Sequence, residues 1–285
     1  MPAKPQDLLS GYVEVSSLPM MYSRINDAIA NPRMSMGDIG RVISEDSGLS
    51  ARLLRIVNSA FYGFPSKVDT ITRAVTIVGT QQLRALALAT SVMNMFKGIP
   101  NDLVTMESFW KHSVACGLAA RSLATYRRES NSELFFTAGI LHDIGRLILY
   151  LKVPDLAKKA LMRSHAEGEL LFEVERDIIG FDHGAVGRAL VQGWKLPASL
   201  EEVVAFHNSP GGATRYPIET AIVHVADIIA HVMMLGTTGE QFVPPLVSKS
   251  WDLLGLQEGV LAPTIDQVEH QFEETVELMF PSAHA

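Results

Sequence analysis

Six side chains could do chemistry together: His112, the adjacent pair His142-Asp143, His183, His207 and Asp227. The sharpest local feature is Leu141-His142-Asp143-Ile144-Gly145, an imidazole and a carboxylate inside an otherwise apolar stretch. A carboxylate buried without a partner costs several kcal/mol, so Asp143 needs a cation, a metal or a hydrogen-bond network. Imidazole nitrogen with carboxylate oxygen suits Fe, Mn or Zn, as one or two ions. On the dipeptide alone, a core histidine beside an aspartate bonded to a neighbouring helix is the simpler reading. The other four residues shift that balance, because each falls in or beside a predicted helix, a usual way of building metal sites in bundles. His224 and His231 lie on Asp227's helical face, at i−3 and i+4, where they could orient it from outside the ligand set or, on the simpler reading, be half-buried surface histidines.

The elements that must position these residues are helical nearly throughout, and strand signals are scarce. The periodicity predicts helices over Met36–Ile43, Leu49–Val57, Ile71–Val78, Gln81–Phe96 and Met106–Tyr126. It continues with Glu133–Leu151, Leu156–Ala166 and Glu169–Ile179. Pro154 closes the first of these. Asp182 can cap a helix from His183 to Trp194. A Ser199-x-x-Glu202 capping box starts another, running to about His207. Asn208–Tyr216 reads as a loop, Ile218–Leu235 as a long helix, and Gly236–Gln241 as a linker. Two last helices fall at about Pro244–Leu254 and Pro263–Met279. The expected fold is all-α, two packed helical bundles, with a boundary at Gly98–Asn101. Residues 1–100 form the first, and residues 101–285 form the second and carry all six candidate ligands.

Composition narrows the class. The chain has 285 residues, 47% apolar and 19% charged, which is globular rather than disordered. Its one cysteine, Cys116, excludes a disulfide framework, suits a reducing compartment and reads as a small core hydrophobe. Met1 to Ser10 lacks the apolar core of a signal peptide, and no uncharged apolar run reaches the length needed to cross a bilayer; the best candidate, Ala221–Leu235, is interrupted by His224, Asp227 and His231. The expectation is a cytoplasmic protein with no membrane segment. Net charge is −7, with 10 Lys/Arg against 7 Asp/Glu in residues 1–100 and 14 against 24 in the rest. An acidic C-terminal half argues against wrapping nucleic acid there.

In order along the chain, His112, His142-Asp143, His183, His207 and Asp227 resemble the ligand set of the HD superfamily of metal-dependent phosphohydrolases, closest to the HD-GYP phosphodiesterases that cut cyclic dinucleotides. The whole chain is more similar to the related HDOD family. That likeness rests on Leu18-Pro19, Glu45-Asp46, Leu49-x3-Leu53-Leu54-Arg55, Asn58-Ser59-Ala60-Phe61-Tyr62, Ala74-Val75, Val78-Gly79 and Leu83-Arg84. Phe109-Trp110-Lys111-His112-Ser113, Leu141 to Arg146 and Asp182-His183-x3-Gly187 extend it to about Leu235. The resemblance implies that His112, His142, Asp143 and Asp227 match a single-ion site, while His183 and His207 match positions serving a further ion. An enzyme of this kind would use a metal-generated hydroxide on phosphorus, with Asp143 and Arg146 in catalytic roles. Two departures count against turnover: His207-Asn208 replaces a His-His pair, and Arg146 replaces a lysine. HDOD relatives imply a non-catalytic signal-transduction regulator whose partners are other signalling proteins, with a cyclic dinucleotide or nucleotide as an alternative ligand. A different class of reading is a helix-turn-helix DNA binder over Met36–Ser59, with Ser50, Arg52, Arg55 and Asn58 outward. Phe61-Tyr62-Gly63-Phe64-Pro65 reads as a turn with packed aromatics.

Overall fold

The computed structural model describes residues 4–9, 18–93, 95–96 and 103–279, and these residues form helices and no strands. The expected boundary at Gly98–Asn101 lies outside the described residues, as do Met1–Ala3 and Ser10 of the N-terminal stretch. The α-helices are α1 Met20–Ala30, α2 Met36–Ser44, α3 Ser47–Val57, α4 Ile71–Val78, α5 Thr80–Met93, α6 Met106–Tyr126, α7 Ser132–Leu141 and α8 Ile144–Lys152. They continue as α9 Pro154–Glu167, α10 Leu171–Ile179, α11 His183–Gly193, α12 Ala198–Phe206, α13 Pro217–Val232, α14 Ser248–Leu254 and α15 Leu261–Met279. One connected core of buried apolar side chains runs from Leu8 to Met279. The last helix ties back to the turn after α3, where Gln271 donates to the Ala60 carbonyl (2.9 Å) and Glu274 accepts from the Ala60 N–H (2.8 Å).

Two expectations are corrected. The single helix predicted over Glu133–Leu151 is two, α7 and α8, broken at His142-Asp143. Asp143 leaves helical geometry (φ −98°, ψ 10°), and its carbonyl accepts from Arg146 N–H (2.9 Å) to start α8. The stretch 132–152 has the length and apolarity of a membrane span, yet 89% of its best window is buried inside the fold. The Ser199-x-x-Glu202 box also fails, because α12 starts at Ala198 without a side-chain cap. Glu202 instead accepts from the backbone N–H groups of Arg215 (3.0 Å) and Tyr216 (2.7 Å), pinning the loop after α12. A capping box does open α2, where Ser35 and Asp38 bond reciprocally.

The helix pair α2–α3 forms as expected, but half its outward polar set is committed to backbone. Ser50 Oγ donates to the Ile43 carbonyl (3.0 Å), and the Asn58 amide spans Leu54 and Val68 (2.7 Å each). That leaves Arg52 and Arg55, too few cations to hold phosphate. The following turn packs its aromatics: Phe61 is buried beneath the Arg121 guanidinium (4.0 Å), and Tyr62 stacks on Phe64 (5.3 Å).

Close helix approach sets the stage for the site. A Cβ on Gly139 of α7 would lie 2.5 Å from Gly117 Cα of α6, so only glycine allows these helices so near. A Cβ on Gly145 would lie 1.9 Å from the His183 carbonyl oxygen and 2.6 Å from Gly187 N. The glycines of the two motifs thus bring His142-Asp143 against the start of α11.

Candidate metal centre

The six expected residues converge. His112 comes from α6, His142 and Asp143 from the α7–α8 break, His183 from the first position of α11, His207 from the end of α12, and Asp227 from α13. None is more than 4% exposed. Asp182 caps α11 through the Ala185 N–H (2.8 Å), as expected, and so fixes where His183 points.

At one end, His142 donates from Nδ1 to the Gly139 carbonyl (2.6 Å). Its Nε2 then faces Asp227 Oδ1 at 3.4 Å and Asp143 Oδ2 at 3.5 Å. His112 Nε2 sits 3.0 Å from the same Asp227 oxygen, and His231 Nδ1 reaches it from the other side at 3.0 Å. At the other end, His183 Nδ1 is held by Glu175 Oε2 (2.6 Å), which also accepts the His183 backbone N–H (2.8 Å). His207 donates Nδ1–H to the Val204 carbonyl (3.1 Å). The Nε2 atoms of His183 and His207 stand 3.3 Å apart, at 3.0 Å and 3.3 Å from Asp143 Oδ1. Asp143 therefore serves both ends.

Several partners had little or no sequence signal. Thr238, in the supposed linker, is wholly buried; its hydroxyl donates to Asp143 Oδ2 and accepts from Arg146 (3.0 Å). Its carbonyl accepts from the Tyr150 hydroxyl (2.6 Å). Gly236 (φ +85°) and Gly239 (φ +116°) let that segment fold over the site, and this glycine pair was the only available hint. Glu175, only 2% exposed, lies in α10. His231, read as a half-buried surface residue, in fact braces Asp227, with its ring 4.4 Å from that of His112. His224 bonds the His207 carbonyl (2.8 Å) and accepts from the Val247 N–H (3.1 Å).

The electrostatics favour metal-ready forms on some ligands and trapped protons on others. Burial pushes His112 down to about 4 and lowers His207, so both stay neutral. Burial and Arg146 oppose charge on His183, but Glu175 and Asp143 lift it to about 9. Against burial, Cys116 and Asp143 raise His142. Also against burial, Arg146, His142 and His183 hold Asp143 well below the carboxylate range, and His231, His112 and His142 do the same for Asp227.

A test of fit comes from satisfaction. His112 Nδ1, His142 Nε2, Asp143 Oδ1 and His231 Nε2 are buried atoms with no hydrogen-bond partner. Such atoms are costly unless something pairs with them. His112, His142 and Asp143 offer donor atoms within 4.8 Å of one another, and so do Asp143, His183 and His207. Clustered buried nitrogen and oxygen atoms without partners are what a cation relieves, and the imidazole–carboxylate set suits a divalent transition ion. The residues fit.

Comparison with known proteins agrees with this architecture. An uncharacterised protein of Treponema pallidum is 27% identical over 240 residues, covering 82% of this chain, which spans about half (46%) of that protein's length. An HDOD domain protein of unknown function from Geobacter sulfurreducens superposes with a TM-score of 0.79 at 20% identity, over 97% of both chains. A candidate phosphohydrolase from Shewanella amazonensis gives a TM-score of 0.76 at 24% identity, over 97% of this chain and 98% of its own. At those identities the structures show a shared fold. The HDOD domain model itself matches residues 15–210, more than half of the sequence and including five of the six converging residues, and the chain belongs to the HDOD domain family.

Proposed function

We propose that this chain is a signal-transduction module that acts through protein contacts, and that its His/Asp centre holds one divalent transition-metal ion as an internal fixture. The observation that carries the reading is burial: the six converging residues are 0–4% exposed. A hydrolytic metal site keeps a coordination position open to water and substrate. Among the described residues, these six side chains leave a phosphodiester almost no exposed surface to approach. A cavity of about 460 Å³ bordered by Ser108, Lys158, Thr237 and Gly239 has none of the six in its wall. Arg146, 2% exposed, is tied to Thr238 and lies 3.6 Å from Asp143, so it supports the ligand cage rather than awaiting a phosphate.

When bound, such an ion supplies folding free energy, because the unfolded chain has no preformed site. This chain's own residues do the rest. Gly139 and Val204 carbonyls fix the tautomers of His142 and His207, Glu175 orients His183, and Thr238 with Arg146 holds Asp143 in place. The ion is zinc, iron or manganese by donor type. Residues 1–100, which carry none of the six ligands, then meet the signalling partners, while residues 101–285 carry the metal.

The runner-up is a metal-dependent phosphohydrolase, the activity suggested by the name of the Shewanella protein. Elemental analysis of protein purified without chelator should return about one ion per chain. Phosphodiester hydrolysis with Fe, Mn or Mg added should stay at background. Metal-dependent turnover of a cyclic dinucleotide, abolished in both His142→Ala and Asp143→Ala, would overturn the adaptor reading.

A further inference from the structure

Cys116 lies one helical turn after His112 on α6, at the i+4 position, so the two share a face. It is fully buried, as expected of a small core hydrophobe. Its surroundings are not hydrocarbon on every side, however. Its Sγ, a ring nitrogen of His142 and a carboxylate oxygen of Asp227 all lie within 4.8 Å of one another. A second observation points into the same space: His142 is 0% exposed, and its Nε2 has no hydrogen-bond partner. The Nδ1 bond to the Gly139 carbonyl keeps that Nε2 directed inward. A thiol, an unpartnered imidazole nitrogen and a carboxylate thus meet in one buried space.

We propose that Cys116 is a ligand of the ion held by His142 and Asp227, giving the centre a sulfur donor beyond the expected histidine and aspartate set. On binding, the thiol proton leaves to solvent and a sulfur–metal bond forms, with no change of oxidation state. A thiolate among nitrogen and oxygen ligands favours zinc or iron over manganese and magnesium. Its added negative charge also weakens the ion as a Lewis acid, which suits a structural role. This inference rests on the reading of the centre as a metal site, and the experiment separates the two.

Metal-free full-length protein is titrated with Co(II) and followed by absorption. The expected result is visible d–d bands together with a near-ultraviolet sulfur-to-cobalt charge-transfer band. In Cys116→Ser the charge-transfer band is lost while the d–d bands persist. Bound cobalt with no charge-transfer band in the wild-type protein overturns the Cys116 assignment and leaves the metal centre standing. No cobalt uptake at all overturns the metal centre and this inference with it. Should Cys116→Ser not fold, X-ray absorption on the zinc-loaded wild type decides independently. A sulfur scatterer at about 2.3 Å supports the assignment, and a shell of only nitrogen and oxygen at about 2.0–2.1 Å refutes it.

Discussion

The two ends of the buried centre are built from the same residue types and differ in how fully the protein itself satisfies them. At the His183–His207 end, the Asn208 amide donates to His207 Nε2 (2.7 Å) and lies 3.0 Å from His183 Nε2, while Glu175 takes the far nitrogen of His183. At the His142–Asp227 end, His112 Nδ1, His142 Nε2 and His231 Nε2 are left without partners. Two clusters of imidazole and carboxylate are therefore not two equal metal sites. The end that hydrogen bonds satisfy except at Asp143 Oδ1 gains less from an ion, and the end with three unpartnered imidazole nitrogens gains more.

Asp143 joins the ends, so its removal should have the largest effect. Asp143→Ala leaves His183, His207 and Arg146 facing one another without their shared anion. Breaking such a buried charged pair costs about 3–5 kcal/mol. Denaturant unfolding should show a loss of that order, and elemental analysis should find no bound metal. A variant with wild-type stability and a full ion would mean the centre is not organised around Asp143.

The next effect distinguishes the ends. His231→Ala removes the brace on Asp227 at the unsatisfied end, and Glu175→Gln weakens the one on His183 at the other. Loss of an outer partner typically lowers metal affinity about 10–100-fold. The first ion should weaken by that factor in His231→Ala and change little in Glu175→Gln, as read by competition with a chromophoric chelator. Equal effects would erase the distinction between the ends.

A smaller effect follows from pH. In metal-free protein, His183 is raised from 6.5 to about 9. Its contribution to stability is therefore fully present below pH 6.5 and lost as pH rises through 9. Asp143 and Asp227 are depressed, so their contributions are present above the unfolded value of 3.8 and lost as pH falls below it. Thermal melts of the metal-free protein should thus weaken on both flanks. An ion at the His183 end must displace that proton, so its affinity should rise up to about tenfold per pH unit until about 9.

Much of this was legible in the sequence because helical periodicity is local. Helices Ile71–Val78 and Met106–Tyr126 fall where the pattern places them, and the six chemistry-bearing residues meet. The break at His142-Asp143 was hidden, since the apolar run continues unbroken on both sides and only tertiary bonds to Asp143 interrupt the helix. Thr238 was hidden for the opposite reason. A threonine between glycines carries no periodicity, and its role exists only once the segment folds across Asp143. Ser199-x-x-Glu202 misled because the pattern is short and the Glu202 carboxylate found better donors thirteen residues ahead, at Arg215. His231 was underrated because a histidine on a helix face looks the same in sequence whether it meets water or a buried carboxylate.

The finest distinction rests on one amide. Asn208 has an NH2 group that donates to His207 and sits within reach of His183 Nε2, and amides are poor ligands for transition metals. Replacing it with an imidazole substitutes a lone pair for that donor while keeping a planar, nitrogen-bearing side chain. In Asn208→His, His207 Nε2 loses its hydrogen-bond donor and the pair gains a third nitrogen ligand beside Asp143. The site then needs a cation. Metal content should rise from about one ion per chain toward two, with the added ion binding more weakly and only at alkaline pH, where His183 gives up its proton. Stability without metal should fall by about 1 kcal/mol, the usual cost of a lost hydrogen bond at a buried position. A variant that still takes up a single ion across that pH range would show that Glu175 and Arg146, rather than Asn208, keep the second end closed to metal.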